Sequence, residues 1–321
     1  MSIIPTIFSR PRLSYTVVGG ARLERGRRKP FRLTLLLLNR GGRFHRAELY
    51  RELQEIGLGE VICLEGPTVA YDIEPLSRQF PQFRFLLLQE DASSGERINC
   101  GIEEARSKWV LVAWSDMRIS GLSQELKNLD RLDFAGNLCT VPLLKNQRGE
   151  TLPSLQIPAL IHSRLKLLPW EPLREGMKTI LPFDYCGIYD RERFLKLGGF
   201  DPAIPNPYWQ KLDFGFRAFL WGEKIQCDPT IQFRYLEEQG SEDSTPDASY
   251  KLFFLKNMAL RRKGERVKLP LAKLLVYLLR SDTGPICAYK EYREVLRWVE
   301  ENGLRFKNDA PGLIRGWEVP E

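Results

Sequence analysis

Two carboxylates in this 321-residue chain directly follow apolar runs, at the positions where an α/β protein holds ligands. Glu65 ends the run EVICLE, and Asp116 follows KWVLVAWS, in which Trp114 precedes Ser115. The carboxyl ends of parallel strands meet at one edge of a sheet, so we expect these two acids and Asn39 to surround one ligand site. Carboxylates in such a site can bind a metal ion or a polar ligand.

Each of these residues also has a plainer interpretation. Asp116 can form a turn at the strand end, and Glu65 can be a solvated strand end. Asn99, in the segment GERINCGIEEARS, can cap a helix instead of binding a ligand. Trp114 can belong to the core, or it can stack on a base or a sugar ring. The sequence alone leaves these alternatives open.

The elements that must position these residues alternate between strand and helix. Apolar runs predict strands at FRLTLLLL, EVICLEG, FRFLLLQ and KWVLVAW, because strands buried on both faces of a parallel sheet are apolar throughout. Segments with helical spacing lie between them, namely RAELYRELQEIG, IEPLSRQF and GERINCGIEEARS. This order predicts the α/β class, with a doubly wound, mostly parallel sheet flanked by helices.

The second half of the chain is less regular. Residues 146–182 contain five prolines and are predicted to be loop with short helices. Helical spacing recurs in DRERFLKLG and DFGFRAFLWG and, beyond the polar break GSEDSTPDAS, in the basic segments YKLFFLKNMALRRKG and YKEYREVLRWVEENG. We therefore predict an N-terminal extension with one strand (1–30), an α/β domain (31–245) and a C-terminal helical region (246–321).

Composition limits the class of protein. Hydrophobic residues are 43% and charged residues 28% of the chain, as in ordinary globular proteins. The N-terminus has no recognisable secretory signal, and the six cysteines lack zinc-site spacing, so we expect a cytoplasmic protein. The net charge of +7 favours anionic partners, but without a nucleic-acid-binding motif we do not expect nucleic acid to be one.

Two basic runs, residues 22–29 and 261–268, are the sites where charge accumulates. Their plainest interpretation is solvated surface. The second run continues an amphipathic segment with several large apolar residues, which also suits peripheral contact with an anionic membrane at its inner face. We therefore treat contact with an anionic membrane as a hypothesis based on this segment.

The order of these motifs resembles the family 2 glycosyltransferases of the GT-A fold, from about Phe31 to Ile225. The segments that carry the resemblance are LTLLLLNR, EVICLEG, GERINCGIEEARSKWVLVAWSDM, YCGIYDRERFLKLGGFDP and LDFGFRAFLWGEKI. The closing segments YKLFFLKNMALRRKG and PGLIRG are similar to the helical end of rhamnosyltransferase-type members.

The resemblance implies transfer of a hexosyl or deoxyhexosyl group from a nucleotide-sugar donor to a glycan or lipid-linked acceptor, usually with inversion, as in polysaccharide biosynthesis. It implies that Glu65 contacts the nucleoside. It implies that Asp116, at the last position of the family's D-x-D motif, holds a divalent metal, Mn²⁺ or Mg²⁺, that neutralises the diphosphate. It also assigns Asn99, Trp114 and Arg217 to the nucleotide-sugar site.

The sequence departs from the family pattern at the catalytic positions. Trp114 replaces the first aspartate of D-x-D, Gln210 and Lys211 replace the E-D pair that supplies the base, and no histidine follows to complete the metal site. Asp213 is the nearest remaining carboxylate and is our predicted base, with Lys211 beside it in the catalytic site. The alternative is that Asp213 only pairs with Arg217, one helical turn further on.

These departures leave two questions open. A single carboxylate holds Mg²⁺ weakly, so the phosphates can instead be neutralised without metal, by Arg97 or Lys211. The function predicted is a glycosyltransferase. The alternative is a catalytically degenerate GT-A-fold protein that binds a nucleotide or glycan, or serves as an assembly partner.

Overall fold

The computed structural model describes residues 13–20, 33–40, 46–56, 58, 60–67, 73–120, 136–162, 164–272, 274, 277–278 and 284–317. The strands are β1 (Tyr15–Gly19), β2 (Leu33–Leu38), β3 (Glu60–Glu65), β4 (Phe83–Leu88), β5 (Trp109–Trp114), β6 (Met117–Ser120), β7 (Cys139–Lys145), β8 (Leu155–Ile161), β9 (Arg164–Trp170), β10 (Gly187–Asp190), β11 (Ile225–Tyr235), β12 (Arg261–Lys263) and β13 (Arg266–Lys268). The helices are α1 (Arg46–Ile56), α2 (Ile73–Gln79), α3 (Ser94–Glu104), α4 (Arg191–Leu197), α5 (Pro207–Leu220), α6 (Ala248–Phe253), α7 (Pro285–Asn302) and α8 (Ala310–Arg315).

A nine-stranded sheet forms the centre of the molecule, in the order β1-β4-β3-β2-β5-β10-β7-β11-β6. The strands β4, β3, β2 and β5 are mutually parallel. On one side β1 pairs antiparallel with β4, and on the other side β10 pairs antiparallel with both β5 and β7. The predicted α/β class is confirmed, because the sheet has a parallel centre flanked by helices.

The four central strands are buried along almost their whole length, which is why their sequences are apolar throughout. Their carboxyl ends all lie at one edge of the sheet. Because β10 runs antiparallel to β5, the residues just before β10 lie at this same edge. The edge therefore combines the ends of the parallel strands with the loop that precedes β10.

The prediction of loop with short helices for residues 146–182 is wrong in part. Residues 155–170 form a separate hairpin of β8 and β9, paired from Leu155↔Trp170 to Ile161↔Arg164. Pro158 and Pro169 lie within these strands. A two-stranded sheet consists only of edge strands. Edge strands tolerate proline, because a residue whose backbone nitrogen faces solvent need not donate a hydrogen bond.

The predicted helix over YKLFFLKNMALRRKG is also shorter than expected. Helix α6 continues into a π-helical turn (Phe254–Met258), and β12 and β13 then form a hairpin around Gly264. Gly264 has φ +64°, the left-handed conformation that glycine adopts without strain. The basic run 261–268 therefore does not lie on an amphipathic helix, and the run 22–29 lies outside the described residues.

Two hydrophobic cores meet at α5. The first surrounds the sheet and includes Phe214 and Ala218 of α5. The second is built with α6, α7 and α8 and includes Phe216 and Leu220 from the same helix. Alternate faces of α5 are thus fixed by separate cores, so the side chains that α5 presents are held firmly. None of the helices in the described part of the chain has the length and apolar character needed to cross a bilayer.

Candidate functional site

The carboxyl ends of β2 and β5 hold an arginine between two aspartates. The guanidinium of Arg40 donates to Asp116 through Nε (2.9 Å) and Nη2 (3.3 Å), and to Asp184 through Nη1 (3.1 Å) and Nη2 (2.8 Å). Tyr235 donates its hydroxyl to Asp184 (2.9 Å), and Gln239 donates its amide to Asp116 (2.9 Å). We call Arg40, Asp116 and Asp184 the strand-end cluster.

The strand-end cluster reaches solvent through its arginine. The side chain of Arg40 is 28% exposed, whereas those of Asp116 and Asp184 are 4% and 12% exposed. Burial alone lowers the pKa of the Arg40 guanidinium, but hydrogen bonds and charge from Asp184 and Asp116 outweigh it and raise this pKa above its ordinary value. The cluster therefore offers a fixed positive group beside two carboxylates.

The loop before β10 holds Asp184 in a strained conformation. Asp184 and Tyr185 have φ values of +49° and +62°, which residues other than glycine rarely adopt. Trp114 Nε1 donates to the carbonyl of Asp184 (2.9 Å), and the Tyr189 hydroxyl donates to that of Tyr185 (2.7 Å). Such conformations cost about 1–3 kcal/mol each and persist where the surroundings fix them, often at functional sites.

Trp114 is a core residue, and its ring stacks on another side chain of the protein. Its side chain is buried, and the face of its indole lies under the Arg40 guanidinium, with Cζ 4.2 Å from the ring centroid. A guanidinium over an indole is stabilised by a cation–π interaction. The residue that replaces the first aspartate of D-x-D therefore supports an arginine.

A chain of hydrogen bonds joins Glu65 to the cluster. Asn39 Nδ2 donates to the Glu65 carboxylate (2.8 Å), and Ser115 Oγ donates to Asn39 Oδ1 (3.3 Å). The backbone N–H of Arg40 in turn donates to Ser115 Oγ (2.9 Å). The structure thus brings Glu65 and Asp116 to one site, as the strand-end argument predicts.

A cleft of about 360 Å³ lies beside the cluster. Tyr235 and Gln239, which bond to the two aspartates, form part of its wall, and polar side chains of the 146–150 turn form another part. Such a cleft suits a polar ligand with several hydroxyl groups.

Gln210 and Lys211 lie near the start of α5, at the positions where the resemblance implies an E-D pair, and both are buried. Gln210 is fully used in structural bonds: its Oε1 accepts from the N–H of Gly95 (3.1 Å) and the hydroxyl of Tyr185 (2.8 Å), and its Nε2 donates to the carbonyl of Asp201 (3.0 Å). Lys211 extends to Glu242, with which it forms an ion pair, and its Nζ lies 5.0 Å from the Tyr185 ring centroid.

Glu242 belongs to the loop after β11, and its side chain is 31% exposed. Burial raises the pKa of the Tyr185 hydroxyl well above its ordinary value, and the charges of Glu242 and Asp184 raise it further. Tyr185 therefore lies within electrostatic reach of both carboxylates. Lys211, which pairs with Glu242, contacts the ring of Tyr185, and Tyr185 directly follows Asp184 of the strand-end cluster.

Asp213 lies in a different environment, which we call the α5 cluster: Asp201, Asp213, Arg217, Lys256 and Asn257. Asp213 accepts from Arg217 Nη2 (2.9 Å), Lys256 Nζ (3.1 Å) and Asn257 Nδ2 (2.8 Å), and Lys256 also bonds to Asp201 (2.7 Å). All five side chains are buried. Burial alone raises the pKa of Asp213, but Lys256 and Arg217 outweigh it and hold this pKa below its ordinary value.

The other predicted site residues make contacts within the protein. Arg217 donates to the carbonyls of Leu197 and Gly199 (both 2.7 Å), and Asn99 bonds through both ends of its amide to the backbone of Phe200 (2.7 and 2.9 Å). Arg97 donates Nε to the carbonyl of Ala92 (3.0 Å).

The guanidinium of Arg97 lies over Gly66, directly after Glu65. A Cβ built on Gly66 would be 3.8 Å from Nη2 of Arg97. Of these three residues, Arg97 is therefore the one placed near the strand ends.

A divalent metal does not fit the strand-end cluster as it stands. Every carboxylate oxygen of Asp116 and Asp184 accepts from Arg40, Tyr235 or Gln239. Within the described residues, no group of three or more His, Cys, Asp or Glu side chains is placed to hold a metal ion. The acids that would bind the metal are bonded to an arginine instead.

The fold of this chain is similar to that of a protein of known structure. The chain superposes on a crystal structure of GalNAc-T7 with UDP, GalNAc and Mn²⁺ with a TM-score of 0.53, at 13% identity over 86% of this chain and 57% of that one. The fold is GT-A. The same comparison matches S. aureus TarS 1–349 in complex with UDP-GlcNAc, with a TM-score of 0.48 at 13% identity over 83% of this chain and 71% of that one.

The similarity to GalNAc-T7 concerns the fold alone, because the identity is 13%. The chain spans 57% of the GalNAc-T7 chain that it matches. No family model matches the sequence, and no curated protein matches it.

Sequence reasoning missed several residues of the site. Arg40 follows Asn39 directly, so the strand-end argument that selected Asn39 could have included it. Asp184, Gln239 and Glu242 lie on loops whose approach to the strand ends depends on tertiary packing. No local pattern in the sequence signals them.

Proposed function

We propose that this protein transfers a sugar from a nucleoside diphosphate to an acceptor hydroxyl, with inversion at the anomeric carbon. The observation that supports this most is the strand-end cluster. In a GT-A fold it presents a partly exposed guanidinium at the carboxyl ends of the central parallel strands, beside a cleft of about 360 Å³.

In this proposal the donor lies across the ends of β3, β2 and β5. The nucleoside contacts Asn39 and Glu65, and the diphosphate faces Arg40, with Arg97 over Gly66 as a second cation. Guanidinium groups suit this role because their N–H donors match the geometry of phosphate oxygens. The cleft beside Tyr235 and Gln239 is then available to the sugar and the acceptor, a glycan or lipid-linked glycan.

The reaction also needs a group that accepts the proton of the acceptor hydroxyl. Asp213 was predicted from sequence, but all of its oxygens are engaged by buried cations and an amide, and it has no exposed surface. Glu242 is better suited, because it is partly exposed and pairs with Lys211, which stands in the sequence where the resemblance implies the E-D pair.

In the proposed step, the Glu242 carboxylate takes the proton from the acceptor hydroxyl. The hydroxyl oxygen forms a bond to the anomeric carbon, and the bond from that carbon to the diphosphate oxygen breaks. The diphosphate leaves with the bonding electrons, and its charge is stabilised by Arg40 and Arg97. Direct displacement of this kind inverts the anomeric carbon.

A second candidate function is a binding or assembly protein with the same fold. The observation that favours it is the replacement of both E-D positions by Gln210 and Lys211, which are buried and bonded within the protein. Such a protein would bind a nucleotide or a glycan without turnover.

The experiment that separates these functions measures donor turnover and binding together. We expect one class among UDP-, GDP- and dTDP-sugars to bind and to release its nucleoside diphosphate slowly to water, and faster with a glycan acceptor. Arg40→Gln should weaken binding while circular dichroism shows an intact fold. Binding without release favours the binding or assembly protein, and no binding of any donor contradicts the transferase.

A further inference from the structure

We infer that Arg40 occupies the position of the divalent metal in this site and supplies its positive charge, so that the site works without metal. The statement about the diphosphate rests on the proposed function. The statement about the metal rests only on the contacts of the two aspartates, and it can be tested separately.

The carboxylate oxygens of Asp116 and Asp184 already accept hydrogen bonds from protein groups. Asp116 Oδ2 accepts from Arg40 Nε and Gln239 Nε2 (both 2.9 Å), and Asp184 Oδ2 accepts from Arg40 Nη2 (2.8 Å) and the Tyr235 hydroxyl (2.9 Å). A metal ion between these acids would have to displace the guanidinium. It would also lie close to the displaced positive charge, which repels it.

The Arg40 guanidinium is held in place from several sides. The Trp114 ring lies 4.2 Å from its Cζ, the Tyr235 ring lies 5.8 Å from it, and the backbone N–H of Arg40 donates to Ser115. A planar group bonded along two edges and stacked on an indole loses little freedom when a ligand binds. The arginine is thus a fixed part of the site.

The Arg40 guanidinium keeps one N–H donor for a ligand. A guanidinium has five N–H donors, and four of them have acceptors among the described residues. One donor on Nη1 remains for a phosphate oxygen, and the side chain is 28% exposed.

The strand-end cluster has a net negative charge. One guanidinium and two carboxylates give a formal charge of −1, whereas a divalent metal with the same two acids would give 0. A diphosphate therefore needs a further cation, and Arg97 over Gly66 is the one placed near it. For this reason we expect diphosphate binding to weaken as salt concentration rises.

The metal part is tested by titrating Mn²⁺ into the purified protein and following free Mn²⁺ by electron paramagnetic resonance. We expect wild type to bind no Mn²⁺ at this site. Arg40→Ser should create one Mn²⁺ site from Asp116 and Asp184, and the double variant with Asp116→Asn should lose it again. Arg266→Ser, on the exposed strand β13, is the control and should behave as wild type.

Two outcomes overturn the inference about the metal. One is a wild type that binds one Mn²⁺, with binding lost in Asp116→Asn. The other is a folded Arg40→Ser protein that binds none. If Arg40→Ser does not fold, the wild-type titration decides alone, and Arg40→Lys, which keeps the charge, should again bind no Mn²⁺.

The diphosphate part is tested by calorimetry with UDP, GDP and dTDP. We expect the Kd of the nucleotide that binds to agree within twofold in EDTA and in Mn²⁺. Binding that needs Mn²⁺ overturns the inference but leaves the proposed function standing. Absence of binding by all three under both conditions removes the proposed function, while the Mn²⁺ titration still decides whether Arg40 takes the place of the metal.

Discussion

The strand-end cluster and the α5 cluster are built from the same parts but differ in balance and exposure. In each, one cation bridges two aspartates: Arg40 between Asp116 and Asp184, and Lys256 between Asp201 and Asp213. In the α5 cluster Arg217 adds a second cation, so two positive groups match two negative ones. The strand-end cluster has one cation for its two acids.

This difference separates a structural ion network from a functional one. The α5 cluster is buried and charge-balanced, and it joins α5 to the segment after α6, so any loss leaves an uncompensated buried charge. The strand-end cluster carries excess charge, a partly exposed cation and strained backbone at Asp184. Such features concentrate at binding and catalytic sites.

The largest effect is expected from Lys256→Met in the α5 cluster. It leaves two buried aspartates with only Arg217 as counter-charge, so the free energy of unfolding should fall by about 3–5 kcal/mol. Urea unfolding followed by circular dichroism measures this. Lys268→Met, at an exposed position of β13, is the control and should change stability little. A small loss in Lys256→Met would show that the α5 cluster is not structural.

Near the strand-end cluster, Glu242→Gln should lower the rate of the reaction. Loss of a general base lowers kcat by about 10²- to 10⁴-fold. Nucleotide affinity should stay close to wild type, whereas the unfolding free energy should fall, because the buried Lys211 loses its charged partner. Glu265→Gln, in the turn between β12 and β13, should leave kcat unchanged. If Glu242→Gln leaves kcat unchanged, the base assignment is wrong.

Arg40→Gln, in the strand-end cluster, should lower ligand affinity more than it lowers stability. A hydrogen bond to a charged group contributes about 1.5–3 kcal/mol, so nucleoside diphosphate affinity should fall by about 10- to 100-fold. The loss of stability should be smaller than in Lys256→Met, since Arg40 is 28% exposed and Lys256 2%. Calorimetry and urea unfolding on the same samples give both values. Equal affinity in wild type and Arg40→Gln contradicts the proposed donor site.

The smallest effect is expected in the acid stability of the α5 cluster. The folded pKa of Asp213 lies below its ordinary value of 3.8, so its stabilisation is present above that pH and is lost as pH falls through the folded pKa. Asp213→Asn should remove part of the fall in unfolding free energy below about pH 4. Urea midpoints from pH 2.5 to 6 measure this, with Asp91→Asn at an exposed position as the control. An unchanged slope in Asp213→Asn would contradict it.

The sequence predicted the parts of the fold that depend on local pattern. The central strands were predicted because burial on both faces requires continuous apolar residues, and Glu65 and Asp116 were placed correctly because they follow such strands. The hairpin of β8 and β9 was missed because Pro158 and Pro169 weaken the strand pattern, although edge strands accept them.

The site was predictable only in part, for a related physical reason. Asp213 has the residue type and approximate position of a base, and its burial by Lys256 and Asn257 comes from a segment more than forty positions away. Asp184 and Glu242 reach the site through loops, and their neighbours in sequence carry no sign of it. Long-range packing decided which carboxylates are exposed and which are not.

The central claim is that the strand-end cluster binds the diphosphate of a nucleotide sugar and that Arg40 does so in place of a metal. The most direct test is a crystal structure of the protein soaked with Mn²⁺ and the nucleoside diphosphate that binds in calorimetry. We expect phosphate oxygens within hydrogen-bond distance of Arg40, the nucleoside at Glu65, and no Mn²⁺ between Asp116 and Asp184. A nucleotide bound elsewhere, or Mn²⁺ between the two aspartates with Arg40 displaced, would contradict it.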